Sequence, residues 1–273
     1  MSHQHVIMPS SASRIVAITG AGNGIGRLLA LRFAERGDHV VGLDIDPGAL
    51  AEVSGELGEA FTAIQMDLSD VDSIREGFAV VSSEVGPVDI LINNAGIVSG
   101  KYLLDYSAKD IRRTMAVNVE AHFHTVRAVL PDMIRRGSGH IVTVASAGGL
   151  SATARLSAYS ASKFAAVGFD EALRLEMRRL GHPIDTTLVA PFYIDTGMFD
   201  GVKTRVAFLL PILKPDYAVR RIMKAIDRKK RRLIMPRFVY ITFPLRLLPV
   251  PVYDWLADLF GVTRTMDEFI GHD

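Results

Sequence analysis

The sequence predicts an α/β protein: a doubly wound parallel sheet with helices on both faces, in a single domain. Three observations carry this expectation. Short β-branched runs alternate with amphipathic stretches from about residue 14 to residue 190. The runs are near-continuous in apolar residues, as strands buried on both faces are. Strand–helix alternation of this kind builds right-handed crossovers, which lay neighbouring strands parallel. The composition fits a full-sized core, with 49% of 273 residues hydrophobic and 22% charged.

In chain order, residues 14–19 read as the first strand, followed by a helical pattern through Arg36. Residues 39–44 read as the second strand, with a helix over 47–57. Further strands are expected at 61–66, 88–92, 140–144 and 185–189, and a helix over 158–180. Residues 1–13 are expected to form a flexible N-terminus ahead of a domain spanning 14–273. Within that domain, 197–273 form a substrate flap and C-terminal extension. No internal repeat, low-complexity segment or linker interrupts the series.

Several function classes are excluded early. Thirty-one Lys and Arg against 30 Asp and Glu leave a formal charge of +1. That balance is too even for bulk electrostatic binding to nucleic acid. With no Cys, disulfides, thiolate nucleophiles and Cys-based metal sites are absent. The eight His show no metal spacing; His122 and His124 point to different faces of a helix, so no metal is expected. No basic start with an apolar run marks a secretory signal, and no apolar run is long enough to span a bilayer. A cytoplasmic protein is expected.

The glycine-rich stretch Gly20, Ala21, Gly22, Asn23, Gly24, Ile25, Gly26 lies between the first strand and the first helix. Glycines there permit a tight turn and close backbone approach to a pyrophosphate, which then sits on the helix N-terminus. Asp44, about 20 residues on, closes the second strand. A carboxylate there accepts from both ribose hydroxyls of NAD and repels a 2′-phosphate. Asn23 and Ile45 are both uncharged, so neither offers a cation for that phosphate. NAD is the expected cofactor, with NADP second.

Tyr159 and Lys163 are four apart in a helical stretch, which puts both on one face. Alone this means little, because such pairs arise by chance. Ser146 lies just past the strand 140–144, and Asn93-Asn94-Ala95-Gly96 closes another strand; Asn118 follows a helical stretch. Ligand crevices in open α/β sheets lie at these carboxyl ends.

Read in order, TGAGNGIG, NNAG, Asn118, Ser146 and YSASK resemble the short-chain dehydrogenase/reductase superfamily. The resemblance covers essentially all of residues 14–270. Within it, the sequence is similar to the branch of retinol dehydrogenases and lipid-droplet 17-beta-hydroxysteroid dehydrogenases. The resemblance implies a Rossmann-type fold and reversible alcohol–carbonyl oxidoreduction with a nicotinamide cofactor. Tyr159 is then the general acid–base. Its phenol, with an ordinary pKa of about 10, needs the Lys163 ammonium and the positive nicotinamide to favour the phenolate. Lys163 also reaches the nicotinamide ribose, and Ser146 orients the substrate oxygen. By resemblance, Asn118 holds a water that joins Lys163 to bulk solvent. Asp67 and Leu68 flank the adenine; Asn94, Ala95 and Gly96 line the adenosine ribose. Pro191, Ile194 and Thr196 belong to the segment that holds the nicotinamide carboxamide, although Phe192 replaces the glycine common there.

Beyond Thr196, an apolar run through Met198, Phe199, Phe208 and Leu210 is expected to wall a pocket for a retinoid, steroid or long-chain alcohol or its carbonyl. The alternatives are a non-catalytic NAD-sensing protein, or a dehydrogenase of small polar alcohols. The resemblance and the apolar helix from residue 158 also imply a homodimer or homotetramer. The basic run 228–232 and the greasy, proline-broken stretch beyond it allow peripheral membrane contact as an alternative to packing on a lid or subunit.

Overall fold

A computed structural model describes residues 13–270, so the N-terminal expectation for residues 1–12 lies outside the described residues. Seven strands form one parallel sheet in the order β3-β2-β1-β4-β5-β6-β7. They are β1 (Ile15–Thr19), β2 (His39–Asp44), β3 (Phe61–Gln65), β4 (Ile90–Asn93), β5 (His140–Val144), β6 (Asp185–Pro191) and β7 (Arg232–Met235). β1 and β5 are buried at every residue, as their unbroken apolar runs require.

The chain falls into two compact units. Among the described residues, the first comprises 13–95, 120–142 and 172–186. Here β1 pairs with both β2 and β4, Ala17 lying beside Val41 and Leu91. The connections are α1 (Gly24–Glu35), α2 (Pro47–Leu57) and α3 (Val71–Val80). Asp46 caps α2 by accepting from Gly48 N at 2.9 Å and Ala49 N at 3.2 Å, with Pro47 at the first helical position. Asp70 caps α3 in the same way. Strand order reverses between β1 and β4, and at such a switch point loops part to leave a crevice.

The second unit comprises residues 96–119, 143–171 and 187–270. A capping box of Ser107 and Asp110 starts α4 (Ala108–Met115). Asn118 follows α4, as expected, and lies in a five-residue π-helical segment, Ala116–Glu120; α5 (Ala121–Arg136) belongs to the first unit. Such a segment widens the turn by one residue and re-aims its side chains.

The helix expected from 158 is α6 (Ser157–Leu180). After α7 (Pro215–Asp227), β7 pairs with β6, Val189 lying beside Leu233. The basic run 228–232 forms an exposed turn up to Arg231 and leads into this last strand, which the sequence reading missed. Lys229 turns the chain with a φ of +49°, and Arg232 already belongs to the strand. Two short helices close the chain, α8 (Thr242–Leu245) and α9 (Val250–Leu259). The apolar flap is irregular rather than helical: Leu210 and Leu213 are buried, while Phe208 is 84% exposed.

Candidate functional site

In the first unit, the glycine loop is held by backbone and by one carboxylate. Gly20 turns with a φ of +68° and donates its N–H to Leu43 O at 2.7 Å. A Cβ on Gly26 would lie 1.9 Å from Gly20 O, so only glycine lets α1 pack this close to the turn. Asp44 Oδ2 accepts from Gly22 N at 2.9 Å and Oδ1 accepts from Asp46 N at 3.1 Å. Each oxygen keeps a lone pair for a further donor. Asn23 precedes α1 without capping it, and no acidic side chain sits in the first turn. The first N–H groups of α1, including those of Gly24 and Ile25, therefore keep their positive end for an anion. Ile45, next to Asp44, is 49% exposed and offers a flat apolar surface.

Thr19 holds the far side of this loop, a role the sequence reading missed. Its Oγ1 accepts from Asn94 N at 3.0 Å and Ala95 N at 3.1 Å. Asn94 Nδ2 donates back to Thr19 O at 3.0 Å. The ends of β1 and β4 are thus stapled. Asp67 turns tightly, Oδ1 accepting from Ser69 N and Oγ, and with Leu68 it stays half-buried beyond β3.

In the second unit, Ser146, Tyr159, Lys163 and Asn118 come together. Ser146 Oγ accepts from Gly148 N at 3.0 Å. A Cβ on Gly148 would lie 3.4 Å from both Ser146 Oγ and Tyr159 Cε1, so the two functional groups flank one glycine. Lys163 is buried and donates from Nζ to Val144 O at 3.0 Å. Its Nζ lies 5.7 Å from the Tyr159 ring centre. A Cβ on Gly96 would meet Lys163 Nζ at 3.2 Å and Asn118 Oδ1 at 3.4 Å. Gly96 is therefore the surface on which these two polar groups converge.

Asn118 is fully buried, and both ends of its amide are engaged. Oδ1 accepts from Ile97 N at 2.8 Å, while Nδ2 donates to Ile97 O at 2.9 Å and to Ser162 Oγ at 3.0 Å. The side chain braces the loop after β4.

Burial dominates the electrostatics of both groups. It pushes the Tyr159 phenol up to about 12, opposed by hydrogen bonding with Ser146 and reinforced by the neighbouring Tyr193. It also pushes Lys163 down to about 8, because desolvation penalises the charged form of each.

An aromatic wall surrounds Tyr159. Phe199 stands edge-on to it with ring centres 5.8 Å apart, and Tyr193 meets Phe199 at 5.0 Å. Leu156, Val202, Met266 and Phe269 complete this cluster. Tyr193 Oη and Thr265 Oγ1 share a hydrogen bond of 2.8 Å. Pro191 ends β6, Ile194 bridges to Leu213, and Thr196 N donates to Ile194 O at 2.9 Å. Among the described residues, no group of three acidic or His side chains is placed to hold a metal.

The family model for short chain dehydrogenase matches residues 14–206. The chain belongs to the short-chain dehydrogenase/reductase family. It is an oxidoreductase acting on CH–OH groups, and it resembles the retinol dehydrogenase branch. Epidermal retinol dehydrogenase 2 of Mus musculus is 43% identical over 266 residues, covering 95% of this chain and 86% of that one. Among solved structures, a short-chain dehydrogenase/reductase from Burkholderia phymatum in complex with NAD superposes with a TM-score of 0.78 at 27% identity. That match covers 86% of this chain and 93% of the other. One from Sphingobium yanoikuyae in complex with NADPH gives 0.74 at 27% identity, covering 90% and 95%. A nicotinamide cofactor is common to both.

The buried lysine has a consequence for stability in this dehydrogenase. Its pKa is lower folded than unfolded, so the charged form is penalised below about pH 8. The unfolded chain holds more protons as pH rises from there toward the ordinary lysine value of about 10.4, so stability rises over that window. Lys163→Met is expected to be more stable than the parent at pH 7 in urea unfolding, with the gap closing by about pH 10. A gap that does not change with pH would contradict a buried ammonium.

Proposed function

We propose that this enzyme is an NAD-dependent dehydrogenase of lipophilic alcohols, retinoid, steroid or long-chain in type, working reversibly on the alcohol and its carbonyl. The observation that carries the reading is the apolar, aromatic cluster around Tyr159, into which a polar sugar alcohol would bring hydroxyls without partners. Its similarity to retinol dehydrogenases supports it.

The residues fit a nicotinamide dinucleotide. The uncapped N-terminus of α1 suits a pyrophosphate, and the glycine loop leaves room that a Cβ would fill. Asp44 suits ribose hydroxyls and disfavours a 2′-phosphate by like charge. When bound, the cofactor supplies the hydride acceptor or donor and, oxidised, a positive charge. Tyr159 Oη removes the alcohol proton in oxidation and returns it in reduction. Ser146 Oγ holds the substrate oxygen and the phenol in register. Lys163 spends one of its three donors on Val144 O and keeps two for ribose hydroxyls. Its charge also favours the phenolate. Asn118 and Ile97 keep the wall against which Lys163 rests.

The half-buried Phe164 and partly exposed Leu175 on α6 support a homodimer or homotetramer. No helix among the described residues is long and apolar enough to cross a membrane, and we read the protein as cytoplasmic with peripheral membrane contact.

Two measurements test the reading. Tyr159→Phe keeps the packed ring and removes the proton-transfer group; turnover of retinol, steroid and long-chain alcohols should fall by roughly 10²–10⁴ with NAD binding kept. Near-parental turnover would remove Tyr159 from the chemistry. Asp44→Ala should shift preference from NAD toward NADP by about 1–3 kcal/mol in paired titrations. Tighter binding of NADP than NAD by the parent would overturn the cofactor assignment.

A further inference from the structure

Within the second unit, residues 262–270 fold back as a strap over the apolar wall around Tyr159. The strap carries Met266, which is fully buried, and Phe269, whose ring centre lies 6.4 Å from that of Phe199. Both belong to the cluster that contains Tyr159. Two glycines seat them: a Cβ on Gly100 would come within 2.0 Å of the Phe269 ring, and one on Gly201 within 2.1 Å of Glu268 O. Apart from a 3₁₀ turn, Val262–Arg264, the strap has no regular structure of its own. A segment of this kind stays in place only where other parts of the chain tie it down.

Two polar clasps do so. The Thr265 hydroxyl donates to Val262 O at 3.1 Å, so Tyr193 Oη is the donor to Thr265 Oγ1 at 2.8 Å. Val262 O also accepts from Thr153 Oγ1. The second clasp is Arg155. Its Nη1 donates to both Met266 O and Asp267 O, the latter at 2.9 Å. The guanidinium carbon lies 5.7 Å from the centre of the Tyr102 ring. Its Nε is buried without a hydrogen-bond partner, so the group is aimed at the strap at the expense of its own full satisfaction.

The backbone of Arg155 points the same way. Its φ of +63° is left-handed, a conformation that glycine adopts freely and a side chain adopts under strain. Such strain persists where surrounding contacts over-determine it, and the contacts of this side chain are the strap and Tyr102. Arg155 also lies just ahead of α6, one turn of chain before Tyr159, so clasp and base share one short stretch.

We propose that Arg155 is a positioning residue for the reaction: it latches the strap so that Met266 and Phe269 close the wall beside Tyr159, and that closure sets the length of alcohol the enzyme accepts. The proposal rests on the lipophilic-alcohol reading for the class of substrate, while the latch is measured without any substrate.

Arg155→Gly removes the guanidinium and relieves the backbone together, so its thermal midpoint should be kept. Amide hydrogen exchange across residues 265–270 should quicken by about tenfold or more, as charge-assisted hydrogen bonds are lost, while α6 keeps its protection. Across straight-chain primary alcohols of rising length, kcat should be kept and KM for the long members should rise by about tenfold. KM for the short members, which do not reach the strap, should match the parent. Arg155→Lys, which keeps a cation but not the planar fork, should recover part of both effects. Phe269→Ala, with the latch intact, should move the preferred length upward. Unchanged exchange in the strap would overturn the latch. Faster exchange with unchanged KM, a loss of equal size at every length, or an unmoved preference in Phe269→Ala would overturn the role in selection. Turnover of polar alcohols alone by the parent would sink the lipophilic-alcohol reading and the length selection with it, and the exchange result would still decide the latch.

Discussion

A buried ammonium is the constraint around which the catalytic unit is built. Lys163 sits on α6 with its charge out of water and one backbone carbonyl as its partner. Holding a lysine this way is costly, and its pKa falls accordingly. Much nearby structure reads as the means of keeping it there. Gly96 has no side chain, so Nζ has room. A Cβ on Gly149 would strike Lys163 O at 2.4 Å, so the turn after Ser146 packs tightly on α6. Asn118 clamps both backbone groups of Ile97, which fixes the loop carrying Gly96. Such strain and desolvation persist where function uses them.

The first unit solves a different problem, the approach of backbone to a phosphate. Its devices are steric and local: glycines where a Cβ would collide, an uncapped helix start, and a carboxylate that braces the loop it also charges. Thr19 ties β1 to β4 where the strand order reverses. A free carboxylate here would be mobile; Asp44 is instead aimed by two backbone N–H groups, which fix its direction.

How much of this was legible follows from the range of each interaction. The glycine loop, Asp44 and the Tyr159–Lys163 pair obey short-range rules of turn and helix geometry, and six strands announced themselves by apolar runs. β7 did not: it is four residues long and follows a basic turn, so its apolar character looked like part of the greasy tail. The π-helical segment around Asn118 has no compositional mark. Tyr193 and Thr265 lie 72 residues apart, and no local period pairs them. The same holds for Met266 and Phe269, which fold back onto the cluster of Tyr159 from the end of the chain. The burial that raises the Tyr159 pKa was not legible either, because sequence spacing shows the charged neighbour but not the depth of burial.

The central claim is that Lys163, desolvated and held beside the phenol, makes Tyr159 a usable base. The most direct measurement is the pH dependence of kcat/KM for alcohol oxidation in the parent and in Lys163→Met. In the parent, the rate should rise through an ionisation well below the value of about 12 that Tyr159 has in the protein without its cofactor. In the variant that ionisation should move upward, and the rate near neutrality should fall. An unchanged midpoint with a merely scaled rate would contradict the account, leaving Lys163 as a cofactor contact with no hold on the proton.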